Sequence, residues 1–421
     1  MEIEKHHDRL REEDSSNSKS WSELPPDLLD LVFKRLTFAN FHRAKSVCSS
    51  WLSSSKQSMP RNNHTPWLIL FPKDAENNSC RLFNPEEKDK LYKQTREDED
   101  LRSEFAKSFC IATFGNWLLM RDPLYTLSIV NLFTNEIITL PPVESQLGTT
   151  KIDRISFDNI EFRITSDKGK KYERRGLRFQ SPLLWIDEKT RDYIVLWGIL
   201  ERYCKGCVVY SRNGDNSWNQ IPETPDCCDM VYKDSKLYFL SSSRSFIIFD
   251  FFSGGMMMTP PQVSFQSFVS VDLYRSLRIS VNIVATMIVV TVSGEVLKVE
   301  KLWGRLAGWS FRVYKAYSSS GLFERRKVID SLGDDDEAML LDQGITVLAD
   351  DANGFVRNSI YFSVSRHNHS HETFYVFNLE TKKTEPLHKF DSSSSVDQFS
   401  RGRWLFPNFT ESKQVTGREV L

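Results

Sequence analysis

Three stretches of this chain repeat one pattern, and the pattern is that of a β-meander. Asn116 to Pro142 (NWLLMRDPLYTLSIVNLFTNEIITLPP), Ser235 to Pro261 (SKLYFLSSSRSFIIFDFFSGGMMMTPP) and Asn358 to Pro386 (NSIYFSVSRHNHSHETFYVFNLETKKTEP) carry it. Each holds an apolar run, a polar turn and a second apolar run ending in Asn131, Asp250 or Asn378. Thr134, Ser253 or Thr381 follows three residues later, and a third run leads into proline. Asn and Asp side chains bond their own backbone in tight turns, and Asn135 or Gly254 can supply a positive φ. Strands joined by turn chemistry at fixed offsets are therefore expected.

Counted at Asn131, Asp250 and Asn378, the copies lie 119 and 128 residues apart, and the intervening Pro182–Pro222 and Val281–Asp330 are less regular units of the same kind. Four-stranded sheets repeating every 40–50 residues or so are the signature of β-propeller blades. From Pro66 onward the units number five plus a split one. Trp404 to Phe409 is expected to pair with Trp67 to Asn84 and close the ring. The count gives six blades, with seven as the alternative. A sandwich would not need this repetition.

Ahead of the β region, Trp21 to Leu52 has another period. Pro25 and Pro26 sit where a helix can begin, and Asp27 suits the positive end of the helix dipole. Leu28, Leu29, Val32, Phe33 and Leu36 then mark one apolar helix face, with Asp30, Lys34 and Arg35 on the other side. Thr37 to Asn40 breaks the pattern, and a second one aligns Ala44, Val47, Cys48, Trp51 and Leu52. So short a segment cannot easily bury two apolar faces by itself. It packs on the body or on another protein. Periodicity alone fits a simple helical cap. The class is mainly β with a small N-terminal α module.

The residue types add more. Leu24-Pro25-Pro26-Asp27-Leu28-Leu29, then Arg35-Leu36, Arg43, and Val47-Cys48-Ser49-Ser50-Trp51 closely resemble an F-box. Ser49 departs from that family's pattern, where Lys or Arg is common. The resemblance implies a three-helix module that binds the Skp adaptor of a Skp–cullin–F-box ubiquitin ligase, and through it a cullin. On that reading Leu24, Pro25, Leu28, Leu29, Val32, Leu36, Val47, Cys48 and Trp51 form the docking face. Further on, Ser293-Gly294-Glu295-Val296-Leu297-Lys298-Val299, Asp330-Ser331-Leu332-Gly333-Asp334, Ala338-Met339-Leu340-Leu341 and Tyr375-Val376-Phe377-Asn378-Leu379 resemble a plant family. In that family an F-box precedes a propeller-like domain of unknown function, which implies a substrate receptor without naming a substrate.

The expected organisation is a disordered leader at 1–20, the F-box module at 21–60 and a propeller-like substrate-binding domain at 66–410. The chain has 421 residues and a net charge of −1, which gives no footprint for nucleic acid or an anionic membrane. Seven cysteines without disulfide-like spacing suit a reducing compartment. The charged first residues lack the apolar segment of a secretory signal, and no long apolar run predicts a membrane span. The location expected is the cytoplasm, the nucleus or both. In such a place the triplets Asn63-His64-Thr65 and Asn408-Phe409-Thr410 go unglycosylated.

Several clusters invite chemistry and have plainer readings. Cys204-Lys205-Gly206-Cys207 leads into a strand, not the helix N-terminus that would activate a thiol. A zinc site needs a second spaced pair, and Cys227-Cys228 are adjacent. His367, His369 and His371 alternate but fall in a hairpin-tip insertion of the third repeat, which makes them an exposed loop. Gly333 to Glu337 reads as a turn. The acidic run Glu97 to Asp100 and the basic runs Lys168 to Arg178 and Arg325 to Lys327 read as solvated loops. Neither a nucleophile elbow nor a carboxylate pair stands out. No catalytic residue, cofactor or metal is expected.

Three functions follow. The first is a non-catalytic substrate receptor that holds a protein target near the ubiquitin-charged enzyme. The second is a propeller enzyme acting on sugars or small molecules. The third is a binding scaffold that uses its F-box outside a ligase.

Overall fold

The computed structural model describes residues 21–36, 38–55, 66–72, 80–85, 90–94, 108–199, 206–222, 224, 226–242, 245–253, 256–268, 281–305, 308–317, 328–332, 336–349, 354–365, 372–387 and 399–407. The chain forms two compact units, Met1–Asn63 and His64–Leu421.

The first unit is helical. A 3-10 turn at Trp21–Glu23 precedes α1 (Pro26–Phe33), α2 (Phe38–Lys45) and α3 (Ser49–Ser55). Pro26 opens α1, and the amides of Leu28 and Leu29 bond the Pro25 carbonyl at 3.0 Å. The second apolar pattern is divided between two helices. Ser46 and Val47 bond back three residues to Arg43 and Ala44, which tightens and ends α2. The Cys48 carbonyl then accepts from Leu52 to start α3.

The second unit is built of strands. β1 (Trp67–Pro72), β2 (Cys80–Phe83) and β3 (Leu91–Gln94) form one antiparallel sheet. A second contains β4 (Phe109–Phe114), β5 (Trp117–Arg121), β6 (Leu127–Asn131) and β7 (Ile137–Thr139). A three-stranded sheet follows: β8 (Lys151–Ser156), β9 (Glu161–Thr165) and β10 (Lys171–Arg175). Next come β11 (Phe179–Ile186), β12 (Tyr193–Ile199), β13 (Cys207–Arg212) and β14 (Asn219–Gln220). β15 (Cys227–Lys233), β16 (Lys236–Ser241), β17 (Ser245–Ser253) and β18 (Met256–Phe268) make another sheet. Two groups then share one sheet. They are β19 (Val281–Val290), β20 (Val296–Gly304), β21 (Gly308–Tyr317) and β22 (Val328–Ile329), and β23 (Glu337–Leu340), β24 (Ile345–Leu348), β25 (Ser359–Ser365), β26 (Glu372–Asn378) and β27 (Thr384–Pro386). A single parallel pairing, Val290 with Ile345, joins the two groups.

The last strand, β28 (Phe399–Leu405), returns to the first. Trp67 pairs with Leu405 and Leu68 with Trp404, as the sequence pattern predicts. The strands β28, β4, β11, β15, β19 and β24 pack each on the next. β28 also meets the turn Leu341–Gln343 just before β24, which closes the cycle. Side chains stitch neighbouring strands of this cycle. Asp229 on β15 accepts from the Ser181 hydroxyl on β11 at 2.6 Å and from the Ile288 amide on β19 at 2.9 Å. The Gln343 amide donates at 3.0 Å to both Thr113 of β4 and the Trp404 carbonyl of β28.

The repeat is visible in the bonding. Leu132, Phe251 and Leu379 donate to the carbonyls of Asn116, Ser235 and Asn358 at 2.9, 3.1 and 2.9 Å. Asn131 caps its turn through the amides of Phe133 and Thr134, and Asn378 does so through Glu380 and Thr381. Asn135 takes φ 60°. The middle copy departs from the expectation. Pairing continues past Asp250 to Ser253 with Met256, because Phe251 is fully buried and Phe252 packs near Trp185, 6.5 Å between centroids.

The sheet β8–β10 lies between β7 and β11 in the chain and contributes no strand to the inner cycle. It lends Ile152, Phe162 and Ile164 to the core around Trp117, Trp197 and Trp218. The basic run Lys168 to Arg178 was expected to be a loop; its central residues instead form β10. Lys171, Glu173 and Arg175 point to solvent while Tyr172 and Arg174 are half-buried, and this alternation was masked by charge on both faces.

Candidate functional site

In the helical unit, α1 carries more apolar surface than its own core takes up. Advancing 100° per residue, the apolar positions run from Phe33 through Leu29, Val32 and Leu28 to Leu31, an arc of roughly 200°. A surface helix needs an arc of roughly 100° to seat on its own core. The arc divides accordingly. Leu29 and Phe33 are 1% and 0% exposed and join Phe41, Ala44 and Trp51 in the module's core. The Phe33 ring meets Phe41 and Trp51 edge-on at 5.3 and 5.6 Å. The Trp51 indole donates to the Trp21 carbonyl at 3.0 Å. The far half of the arc is open: Leu28 is 48% and Leu31 54% exposed. Charge sits elsewhere on the helix, where Asp30 pairs with Lys34 at 2.6 Å.

The nine residues expected to form one docking face are therefore divided in depth. Leu29 and Trp51 lie inside the module and support the surface from behind. Leu24, Val32, Leu36 and Cys48 are half-buried against that core. Pro25, Leu28 and Val47 are exposed, and so is Leu52 on α3. Leu31 was missed because i, i+3, i+4 counting followed the core stripe and stopped there. The signal was in the sequence: with Leu31 counted, the apolar arc is too wide for one core.

The β unit offers no comparable chemistry among the described residues. No three His, Cys, Asp or Glu side chains gather there as a metal site. Cys207 and Cys227 are buried, and burial holds the Cys227 thiol well above its usual range. Cys204, the three histidines, Gly333 to Asp335, Glu97 to Asp100 and Arg325 to Lys327 lie outside the described residues. Asp336 pairs with Arg357 at 2.9 Å. A cleft of about 320 Å³ is walled by Phe83, Tyr361 and Val376 and rimmed by Lys383 and Glu385. Its polar groups form neither a carboxylate pair nor a nucleophile beside a base. Among the described residues no helix is long and apolar enough to cross a membrane.

Comparison with known proteins matches residues 21–62 to the F-box domain and residues 82–378 to the family described as KIB1-4 beta-propeller. The chain belongs to the plant F-box proteins with a KIB1-4 β-propeller. It is 51% identical to Putative F-box protein At4g22170 of Arabidopsis thaliana over 94% of this chain and 98% of that one. It is 39% identical to F-box protein At1g69090 of the same plant, over 93% of each. Among solved structures, TolB from Acinetobacter baumannii aligns at 8% identity with a TM-score of 0.36, over 85% of this chain and 70% of that one. That likeness is too distant to bear on function. The F-box match covers all three helices, so the exposed half of the α1 arc belongs to an F-box surface. The propeller match covers strands from β2 to β26.

Proposed function

We propose that this chain is the substrate-recruiting subunit of a Skp–cullin–F-box ubiquitin ligase. The observation that carries the reading is the split arc of α1, whose inner half builds the module's core and whose outer half has no cover within the module. Leu28, Leu31, Val47 and Leu52, with Pro25 beside them, form the surface that docks a Skp-type adaptor. Leu24, Val32, Leu36 and Cys48 form its half-buried margin. The propeller, read as six blades on the cycle of inner strands, holds a protein target.

The contribution is positional. Holding a target beside the charged enzyme raises its effective concentration and needs no bond chemistry in this chain. The chain is accordingly not an enzyme itself, and it works in the cytoplasm or nucleus without a cofactor.

Affinity capture of the full chain from plant cells tests this. A Skp-type adaptor and a cullin should be recovered together, and deleting residues 21–62 should remove both. Recovery of neither with the intact chain would overturn the reading. Adaptor without cullin would favour a scaffold that works outside a ligase.

A further inference from the structure

The sheet β8–β10 is an addition to the cycle of inner strands, and one of its edges is chemically unusual. Among the described residues β10 pairs with β9 alone. Such an edge presents main-chain donors and acceptors to any chain that can lie beside it. Lys168, Lys170, Lys171, Arg175 and Arg178 are exposed along the strand and its flanks. None of these five cations has an ion-pair partner among the described residues. Glu173, in the middle of the strand, is held by Arg163 of β9 at 2.7 Å. Charged side chains, lysine above all, also keep an edge from aggregating. A row of one sign, with its single internal carboxylate already neutralised, is complementary to acid.

We propose that β10 accepts an acidic, extended segment of a protein target as an added strand. The term target rests on the receptor reading above; the strand addition does not. Register sets the preference. Lys171 and Arg175 share the exposed face with Glu173 between them. Opposite charges directly across a strand pair stabilise it and like charges oppose it. The preferred segment therefore carries two acidic residues four positions apart with an uncharged residue midway. Lys168, Lys170 and Arg178 extend the attraction beyond both ends. A nucleic acid would meet the same cations, but its backbone gains nothing from a peptide edge.

The test uses the full chain and fluorescence anisotropy at low salt. The probe is a labelled synthetic peptide of alternating threonine and valine with two glutamates four positions apart. The variant Lys171→Ser/Arg175→Ser should bind it about tenfold more weakly, about 1.4 kcal/mol. Lys168→Ser/Lys170→Ser, away from the paired register, should weaken it less. A probe N-methylated on alternate amides should not bind, because an added strand needs those donors. Full retention of affinity by the N-methylated probe, or by the Lys171→Ser/Arg175→Ser variant, would overturn the proposal. So would equal binding of an oligothymidylate of matching charge. Tighter probe binding after neutralising Glu97 to Asp100 would assign the edge to the chain's own acidic run and also overturn it. Adaptor binding by the helical module enters none of these readouts, so failure of either reading is separable from the other.

Discussion

Changing Leu28 and Leu31 together to alanine should cripple adaptor binding and leave the module folded. Fully burying a leucine side chain is worth about 1.5–3 kcal/mol. Leu28 and Leu31 are 48% and 54% exposed, so about half of that gain is still available to a partner. Each residue then contributes about 1 kcal/mol on docking, and the pair about 2 kcal/mol, or roughly thirtyfold in affinity. The two lie three residues apart and so share one patch of helix surface. The control is Leu29→Ala, at a position only 1% exposed. That change opens the core beside Phe33 and should cost about 2–5 kcal/mol of module stability. Titration calorimetry of purified adaptor against the full chain reads the first effect, and the helical circular dichroism melt reads the second. An affinity within threefold of wild type for the double variant would refute the reasoning. So would a melt lowered as far as that of Leu29→Ala, since the two leucines would then be structural.

Three further outcomes are expected. Removing residues 399–421 takes β28 away and leaves Trp67 to Phe71 unpaired on one side, so light scattering should show aggregation. Gly344→Ala should lower body stability by about 2 kcal/mol or more in urea, because Gly344 has φ +66° and a Cβ there would collide with the Val231 side chain. The third concerns Asp229, whose carboxyl burial pushes up to about 6 against the bonds from Ser181 and Ile288. An acid raised in this way holds its proton in the folded chain after the unfolded chain has lost its own. Its contribution is therefore present at low pH and is lost as pH rises from about 4 to about 6. Asp229→Asn keeps the neutral form, so relative to wild type it should gain about 2–3 kcal/mol over that window in urea midpoints. A variant tracking wild type at both ends would refute this.

Much of this architecture could be read from the chain beforehand, for reasons that are local. Pro25-Pro26 opens a helix in any context, and the Asn131 and Asn378 turns are set by a side chain bonding amides two and three residues away. The closure of Trp404 on Leu68 was legible because an unpaired half-unit stood at each end of the count. What escaped depended on packing. Asp250 carries the turn residue type, yet the burial of Phe251 prolongs its strand. Asp187 holds the same kind of turn, through the amides of Lys189 and Thr190, at a strand junction outside the repeat. The strand β10 was hidden because it buries no strongly apolar residue of its own. Leu29 and Leu28 differ by one position in sequence, and only the placement of α2 and α3 tells which of them is core.

The pairing of β28 with β1 also bears on how the protein is made. The helical module has all its residues once position 62 has left the ribosome, whereas Trp67 to Phe71 must wait for Trp404 before their sheet is whole. At translation speeds of about 5–20 residues per second, that interval is on the order of half a minute. During it the nascent chain can present a finished helical surface alongside an unclosed ring. An adaptor that bound at that stage would carry a receptor without a completed target-binding body. Synthesis that stops short of position 404 would leave that state permanent, with the edge of β1 open to other chains.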